Sequence, residues 1–283
     1  MQIEKLLSPA PSSNIKPPTA FKPRRLPGEI VLFGDSLTQR SWQPGGLAQR
    51  LADAYVRKLD VVNRGLGGYQ STWGTRVLEQ LLAQRNAPGT PSIELITIWF
   101  GANDAAPPGT GQHVPLHQFT LNLHRMIDMV RGPPTTPSSP SPSPSHNSAL
   151  SDPTAPHTPQ PYIPPPDHNA APDPATRMLL LTPPPPAPQV WNLAHFPRQI
   201  ALTRAYAAEV RAVGRQRGVP VVDVWAGLSV AAVGEAYVAR FLVDGLHLNR
   251  EGYELVYNMV VHAIREHYPD MLPERLPDAF GGK

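Results

Sequence analysis

The sequence predicts an α/β fold, with a mostly parallel sheet of five strands and helices covering both of its faces. Three observations predict it. Short apolar runs of strand length alternate with amphipathic stretches of helical length, which is the signature of repeated strand–helix units. Polar loops rich in glycine, asparagine or aspartate follow those runs, where open α/β sheets place their chemistry. The 283 residues are 41% apolar, enough for the core of one large domain.

Ile30-Val31-Leu32-Phe33 is the first strand and runs into Gly34-Asp35-Ser36-Leu37-Thr38. A helix over about 45–58, a strand over Leu59–Val62 and a helix over about 71–85 follow. Ile93–Phe100 is the next strand. After a loop, Leu116, Phe119, Leu123, Met126, Ile127 and Val130 recur at helical spacing, so that helix buries one face. Met178–Leu181 is a strand ending in Thr182-Pro183-Pro184-Pro185-Pro186, and about 195–217 is a helix stopped by Gly218. Val219–Val222 is a short strand running into Asp223. The last helix starts near Arg250 and turns Leu255, Val256, Met259, Val260 and Ile264 towards the core.

Two stretches break this rhythm. Residues 1–28 are basic and proline-rich with little apolar periodicity, and read as a disordered tail. Residues 132–176 hold 15 prolines in runs such as Ser138-Ser139-Pro140-Ser141-Pro142, and such a composition does not bury enough apolar surface to offset the entropy of ordering it. The expected organisation is one domain over 29–270, interrupted by a disordered insertion at 132–176 and followed by a C-terminal tail at 271–283.

Composition narrows the function. Twenty-five Lys and Arg against 22 Asp and Glu leave a formal charge of +3, and the basic residues are spread rather than striped, so no nucleic-acid partner is expected. There is no cysteine, hence no disulfide, thiol nucleophile or thiolate metal site. No signal-peptide pattern and no run of 18 apolar residues occurs, so the expectation is a cytoplasmic protein with no membrane span.

Ser36 sits where a strand passes through a glycine-containing turn towards a helix, a position that exposes a hydroxyl at the sheet's crevice and sets its own N–H near a helix N-terminus. A serine needs a base, and the base an orienting group. His247 has a carboxylate three positions before it, in Asp244-Gly245-Leu246-His247, where Gly245 permits the tight loop that brings the two together. Asn63-Arg64-Gly65-Leu66-Gly67-Gly68-Tyr69 offers backbone N–H groups to an anion, and Gly101-Ala102-Asn103-Asp104 offers a side-chain amide. Each of these loops taken alone is also ordinary turn chemistry.

Taken in order, these four blocks resemble the signature blocks of the SGNH, or GDSL, hydrolase superfamily. Gln112-His113-Val114-Pro115-Leu116 and Thr182-Pro183-Pro184-Pro185 are similar to stretches of its isoamyl acetate-hydrolysing esterase branch. The resemblance spans about residues 29–268 without the insertion. It implies a flavodoxin-like three-layer α/β/α sandwich and a serine esterase working through an acyl-enzyme. Ser36 is then nucleophile and first oxyanion donor, Gly68 the second backbone donor with Gly67 as its neighbouring alternative, Asn103 the side-chain donor, His247 the base and Asp244 its orienting group. The substrate expected is a small-molecule ester, small and apolar, such as the acetate of a short alcohol. No metal or organic cofactor is implied. The alternatives are an acyltransferase or carbohydrate deacetylase on the same scaffold, or a non-catalytic protein that docks through its proline-rich insertion. The absence of G-x-S-x-G, with Thr38 in the fifth position, sets the chain apart from the α/β-hydrolase fold.

Overall fold

The computed structural model describes residues 27–86, 89–131, 176–189 and 197–280. Almost all of the N-terminal tail and of the insertion, with its Pro137-Ser138-Ser139-Pro140 motif, lies outside the described residues. In chain order the elements are β1 (Glu29–Gly34), α1 (Ser36–Gln39), α2 (Leu47–Ala54), β2 (Asp60–Gly65), α3 (Ser71–Ala83), β3 (Ile93–Trp99), α4 (Leu116–Arg131), β4 (Arg177–Leu181), α5 (Ile200–Arg217), β5 (Val221–Val222), α6 (Val224–Ala231) and α7 (Arg250–His267). Every strand pairing is parallel, and the order across the sheet is β2-β1-β3-β4-β5.

Alternation along the strands sorts the core into two layers. Ile30 and Leu32 of β1 face α2, α6 and α7, joining Leu51, Leu228, Val256 and Val260. Val31 and Phe33 face the other way, onto Leu78 of α3, Phe119 and Met126 of α4 and Val210 of α5. The sandwich therefore has three layers, as expected. Its strand order reverses between β1 and β3, and the crevice outside the carboxyl ends of such a pair is where this topology binds ligands. The loops holding Ser36 and Asn103 leave those two strand ends.

Several boundaries differ from expectation for physical reasons. β2 runs on through Asn63, Arg64 and Gly65, in register with Leu32, Phe33 and Gly34 of β1; it is an edge strand, and its half-exposed polar end has no apolar signal to show. α2 is shorter than 45–58 and is followed by Arg57 at φ 64°. α5 starts at Ile200 rather than near 195, and β5 keeps two residues of the expected four. α6 was not expected: Val224–Ala231 is apolar almost throughout and shows no stripe, and its start is marked by Asp223, whose side chain accepts the Ala226 N–H. The segment from 271, expected as a tail, lies through Phe280 against the domain. Met271 and Leu272 are buried, the Tyr55 hydroxyl donates to the Met271 carbonyl at 2.9 Å, and the Ala279 N–H donates to Arg57. Among the described residues no helix is long and apolar enough to cross a membrane.

Candidate active site

Asp35 caps α1 by accepting the Leu37 N–H at 2.8 Å, which leaves Ser36 as the first residue of the helix, its N–H beyond the reach of intrahelical carbonyls. The base is delivered from the far side of the chain. Between Leu242 and Leu248, which form an antiparallel bridge, the loop tightens until the Val243 N–H donates to the His247 carbonyl at 2.7 Å. Gly245 takes φ +88°, a conformation that other residues adopt only with strain. Asn249 caps the following α7, and the Ala187 N–H at the end of the buried proline run donates to the Gly245 carbonyl.

The Asp244 carboxylate works with both oxygens. Oδ1 accepts the N–H groups of Leu246 at 3.1 Å and His247 at 2.9 Å, while Oδ2 accepts from His247 Nδ1 at 2.7 Å. Because the carboxylate only accepts, Nδ1 carries the proton and Nε2 presents its lone pair. Ser36 Oγ lies 2.9 Å from that nitrogen. A proton can pass from the hydroxyl to the ring in this geometry, with Asp244 stabilising the imidazolium.

Electrostatics suits the transfer. Burial lowers the pKa of His247, the Asp244 hydrogen bond and charge oppose that, and Arg40 and Arg198 lower it further, for a net fall below the ordinary histidine value. Burial works to raise the Asp244 carboxyl, but the backbone and ring donors of His247 and the Leu246 N–H outweigh it and hold it below the usual carboxylate range. Arg40 Nη1 stands 3.6 Å from Asp244 Oδ2.

Ser36 and His247 share a cavity of about 260 Å³ with Gln39, Arg40, Gly67, Gly68, Asn103, Gln112, Arg198 and Leu246. The two adjacent glycines differ in kind. The Gly67 N–H donates to Gln39 Oε1 and is used up there. Gly68, at φ +78°, lines the cavity with an N–H that has no protein acceptor among the described residues. Asn103 is 3% exposed and donates from Nδ2 to the Tyr69 carbonyl at 2.8 Å, while its Oδ1 accepts from Arg198 Nη2 at 3.1 Å. Asp104 ties the same loop to α3, accepting the N–H groups of Ser71 at 2.9 Å and Gly101 at 3.2 Å. All five residues singled out in the sequence, Ser36, Gly68, Asn103, Asp244 and His247, thus meet at one crevice.

Sequence reasoning missed Arg40, Gln39 and Arg198. Arg40 was within reach, since it follows Ser36 by four positions and so lies one helical turn on. Arg198, before α5, has no local pattern to mark it. Among the described residues no three His, Asp or Glu side chains are grouped to hold a metal ion.

Comparison with known proteins bears on the same residues. Residues 32–165 match the model of the GDSL-like lipase/acylhydrolase family. An isoamyl acetate-hydrolyzing esterase 1 homolog of Bos taurus is 31% identical over 237 residues, covering 81% of this chain and 78% of that protein. The chain belongs to the GDSL-like lipase/acylhydrolase family. A GDSL esterase/lipase of Arabidopsis thaliana agrees, at 31% identity over 89% of this chain and 90% of its own length. Among solved structures, the lipase/acylhydrolase from Enterococcus faecalis superposes with a TM-score of 0.56 at 20% identity, covering 89% of this chain and 98% of that one. A carbohydrate acetylesterase family member from Sinorhizobium meliloti does so with 0.53 at 18%, covering 84% and 98%. At these identities the two structures show the fold, and that fold is the one described above. Membership of the GDSL-like family makes the chain a carboxylic ester hydrolase acting on a small-molecule ester.

Proposed function

We propose that the chain hydrolyses esters of short acyl chains through an acyl-enzyme on Ser36. His247 Nε2 takes the hydroxyl proton as Oγ bonds to the ester carbonyl carbon, and the carbonyl electrons move onto oxygen. The N–H groups of Ser36 and Gly68 and the second Nδ2 hydrogen of Asn103 receive that oxyanion. Its collapse expels the alcohol, which leaves with the proton from His247; water then repeats the sequence on the acyl-serine, releasing the acid and restoring Ser36. The observation that carries this reading is the unbroken chain from Ser36 Oγ to His247 at 2.9 Å and on to Asp244 at 2.7 Å, set in the wall of a cavity.

The cavity's volume of about 260 Å³ supports small substrates, since pockets for drug-sized ligands start at about 300 Å³. The names of the curated relatives support acetates of short alcohols. An apolar alcohol has less support in the lining, where, among the described residues, Leu246 is the one aliphatic side chain beside Gln39, Arg40, Gln112 and Arg198. That polar lining favours a second reading, in which the alcohol is itself polar, as in an acetylated polyol or sugar. One panel decides both points. With p-nitrophenyl esters of increasing chain length, kcat/KM falls beyond butyrate; isoamyl acetate is then compared with triacetin. Ser36→Ala abolishes turnover of p-nitrophenyl acetate while the thermal melt stays cooperative. Full turnover in that variant overturns the mechanism, and equal kcat/KM from acetate to laurate overturns the short-acyl assignment.

A further inference from the structure

Arg198 is a charged side chain that is only 4% exposed, and its donors are spent on the walls of the crevice. Nε donates to the Ala102 carbonyl at 2.9 Å and Nη1 to the Pro197 carbonyl at 3.2 Å. Nη2 serves two amides at once, Asn103 Oδ1 at 3.1 Å and Gln112 Oε1 at 2.8 Å. Each amide passes the constraint on. Asn103 Nδ2 donates to the Tyr69 carbonyl at 2.8 Å, and Gln112 Nε2 donates to the Gly68 carbonyl at 3.1 Å. Gly68 and Tyr69 are neighbours in the chain, so the path closes on itself.

We propose that Arg198 is the positioning residue of the oxyanion hole, with one guanidinium nitrogen setting the Asn103 amide directly and the Gly68–Tyr69 turn through Gln112. The proposal rests on the donor roles given above to Asn103 and Gly68. A guanidinium only donates, so the group facing it in each amide is the oxygen. That decides which way both amides point. With Oδ1 held by Arg198, one Nδ2 hydrogen of Asn103 goes to Tyr69 and the other is left for the cavity. With Oε1 held, Gln112 turns its NH₂ to the Gly68 carbonyl and fixes the peptide beside the Gly68 N–H. A lysine would supply charge without the planar fork.

The test compares Arg198→Lys, Gln112→Leu, Asn103→Ala and the Arg198→Lys/Asn103→Ala double variant. Each preparation is active-site titrated and assayed on p-nitrophenyl acetate beside a thermal melt. Arg198→Lys is expected to lower kcat per titrated site by about 10- to 100-fold with little change in KM, the mark of an interaction realised in the transition state. Its cost shrinks on the Asn103→Ala background, because the amide it orients is gone. Gln112→Leu cuts only the Gly68 branch, leaves the buried charge in place, and lowers kcat by about tenfold; it decides the matter if Arg198→Lys does not fold. A residue with a merely structural role would lower the melting temperature and the fraction of titratable sites, but not kcat per site. Unchanged kcat per site in folded Arg198→Lys, or in Gln112→Leu where the arginine variant fails, overturns the proposal, as does strict multiplication of the Arg198 and Asn103 effects. If Asn103→Ala or Ser36→Ala keeps full turnover, it is the reading of the hydrolytic site that falls.

Discussion

At the scale of single residues, His247 is where opposing influences meet, and pH reads the outcome. The ring works as a base only when neutral, so kcat/KM rises with pH through its pKa and is lost below it. Burial, Arg40 and Arg198 hold that pKa below the ordinary histidine value against the pull of Asp244. The acid limb of kcat/KM is therefore expected below the usual histidine range. Arg40→Gln removes a cation that disfavours the imidazolium, and so moves the limb to higher pH. Measured pH profiles of the two proteins check this, and a limb that stays put or moves to lower pH contradicts the electrostatic account. This scale also separates what could be read from sequence from what could not. Asp244 and His247 stand three positions apart, and their hydrogen bond is a local event that spacing reveals. Arg198 reaches Ala102, Asn103 and Gln112 across long loops of chain, so no window around it carries the information.

At the scale of elements, the site depends on how closely α1 lies on β2. A Cβ at Gly65 would stand 1.9 Å from the backbone N of Gln39 and 2.5 Å from the Thr38 carbonyl carbon, and backbone does not yield as a side-chain tip does. Asn63 clamps the same turn, its Nδ2 donating to the Thr38 carbonyl at 2.8 Å. Gly65→Ala must push α1 and with it Ser36. The expected result is a loss of about 1–3 kcal/mol in stability, as for overpacked cores, together with a fall in kcat of about 100-fold from misplacing the nucleophile. Denaturant titration and assay of the folded variant measure the two, and wild-type values for both would show that the approach is not tight. Element legibility followed burial and pattern. α4 and α7 showed clean apolar stripes and appear where the spacing put them. The end of β2 and the whole of α6 lacked such contrast, the first because Asn63 and Arg64 sit at a half-solvated edge, the second because Val224–Ala231 is apolar on all sides.

For the molecule as a whole, the unusual feature is a group of ionisable side chains buried beyond the carboxyl ends of β1 and β3. Asp35 and Asp104 are fully buried, and burial pushes their carboxyls up to about 7 and about 6, with Arg198 as the nearby countercharge. A carboxyl whose folded pKa is raised stays protonated in the native state at pH values where the unfolded chain has released its proton. Stability therefore declines as pH rises from the ordinary carboxylate range through about 7. Asp35→Asn keeps an acceptor for the Leu37 N–H and removes the titration, so its melting temperature is expected to fall less than that of the wild type between pH 5 and 8. Parallel curves for the two proteins would show that Asp35 is not the group responsible. The arrangement of the reacting pair has a different kind of consequence, in time rather than in energy. Ser36 and His247 meet across 211 positions of sequence. During synthesis the hydroxyl, the Gly68 turn and Asn103 leave the ribosome well before their proton acceptor. A nascent or truncated chain that stops short of residue 247 lacks the base, one wall of the cavity and the α7 side chains Val256 and Val260 that cover β1, so hydrolysis begins only once the loop before α7 and the helix itself have docked.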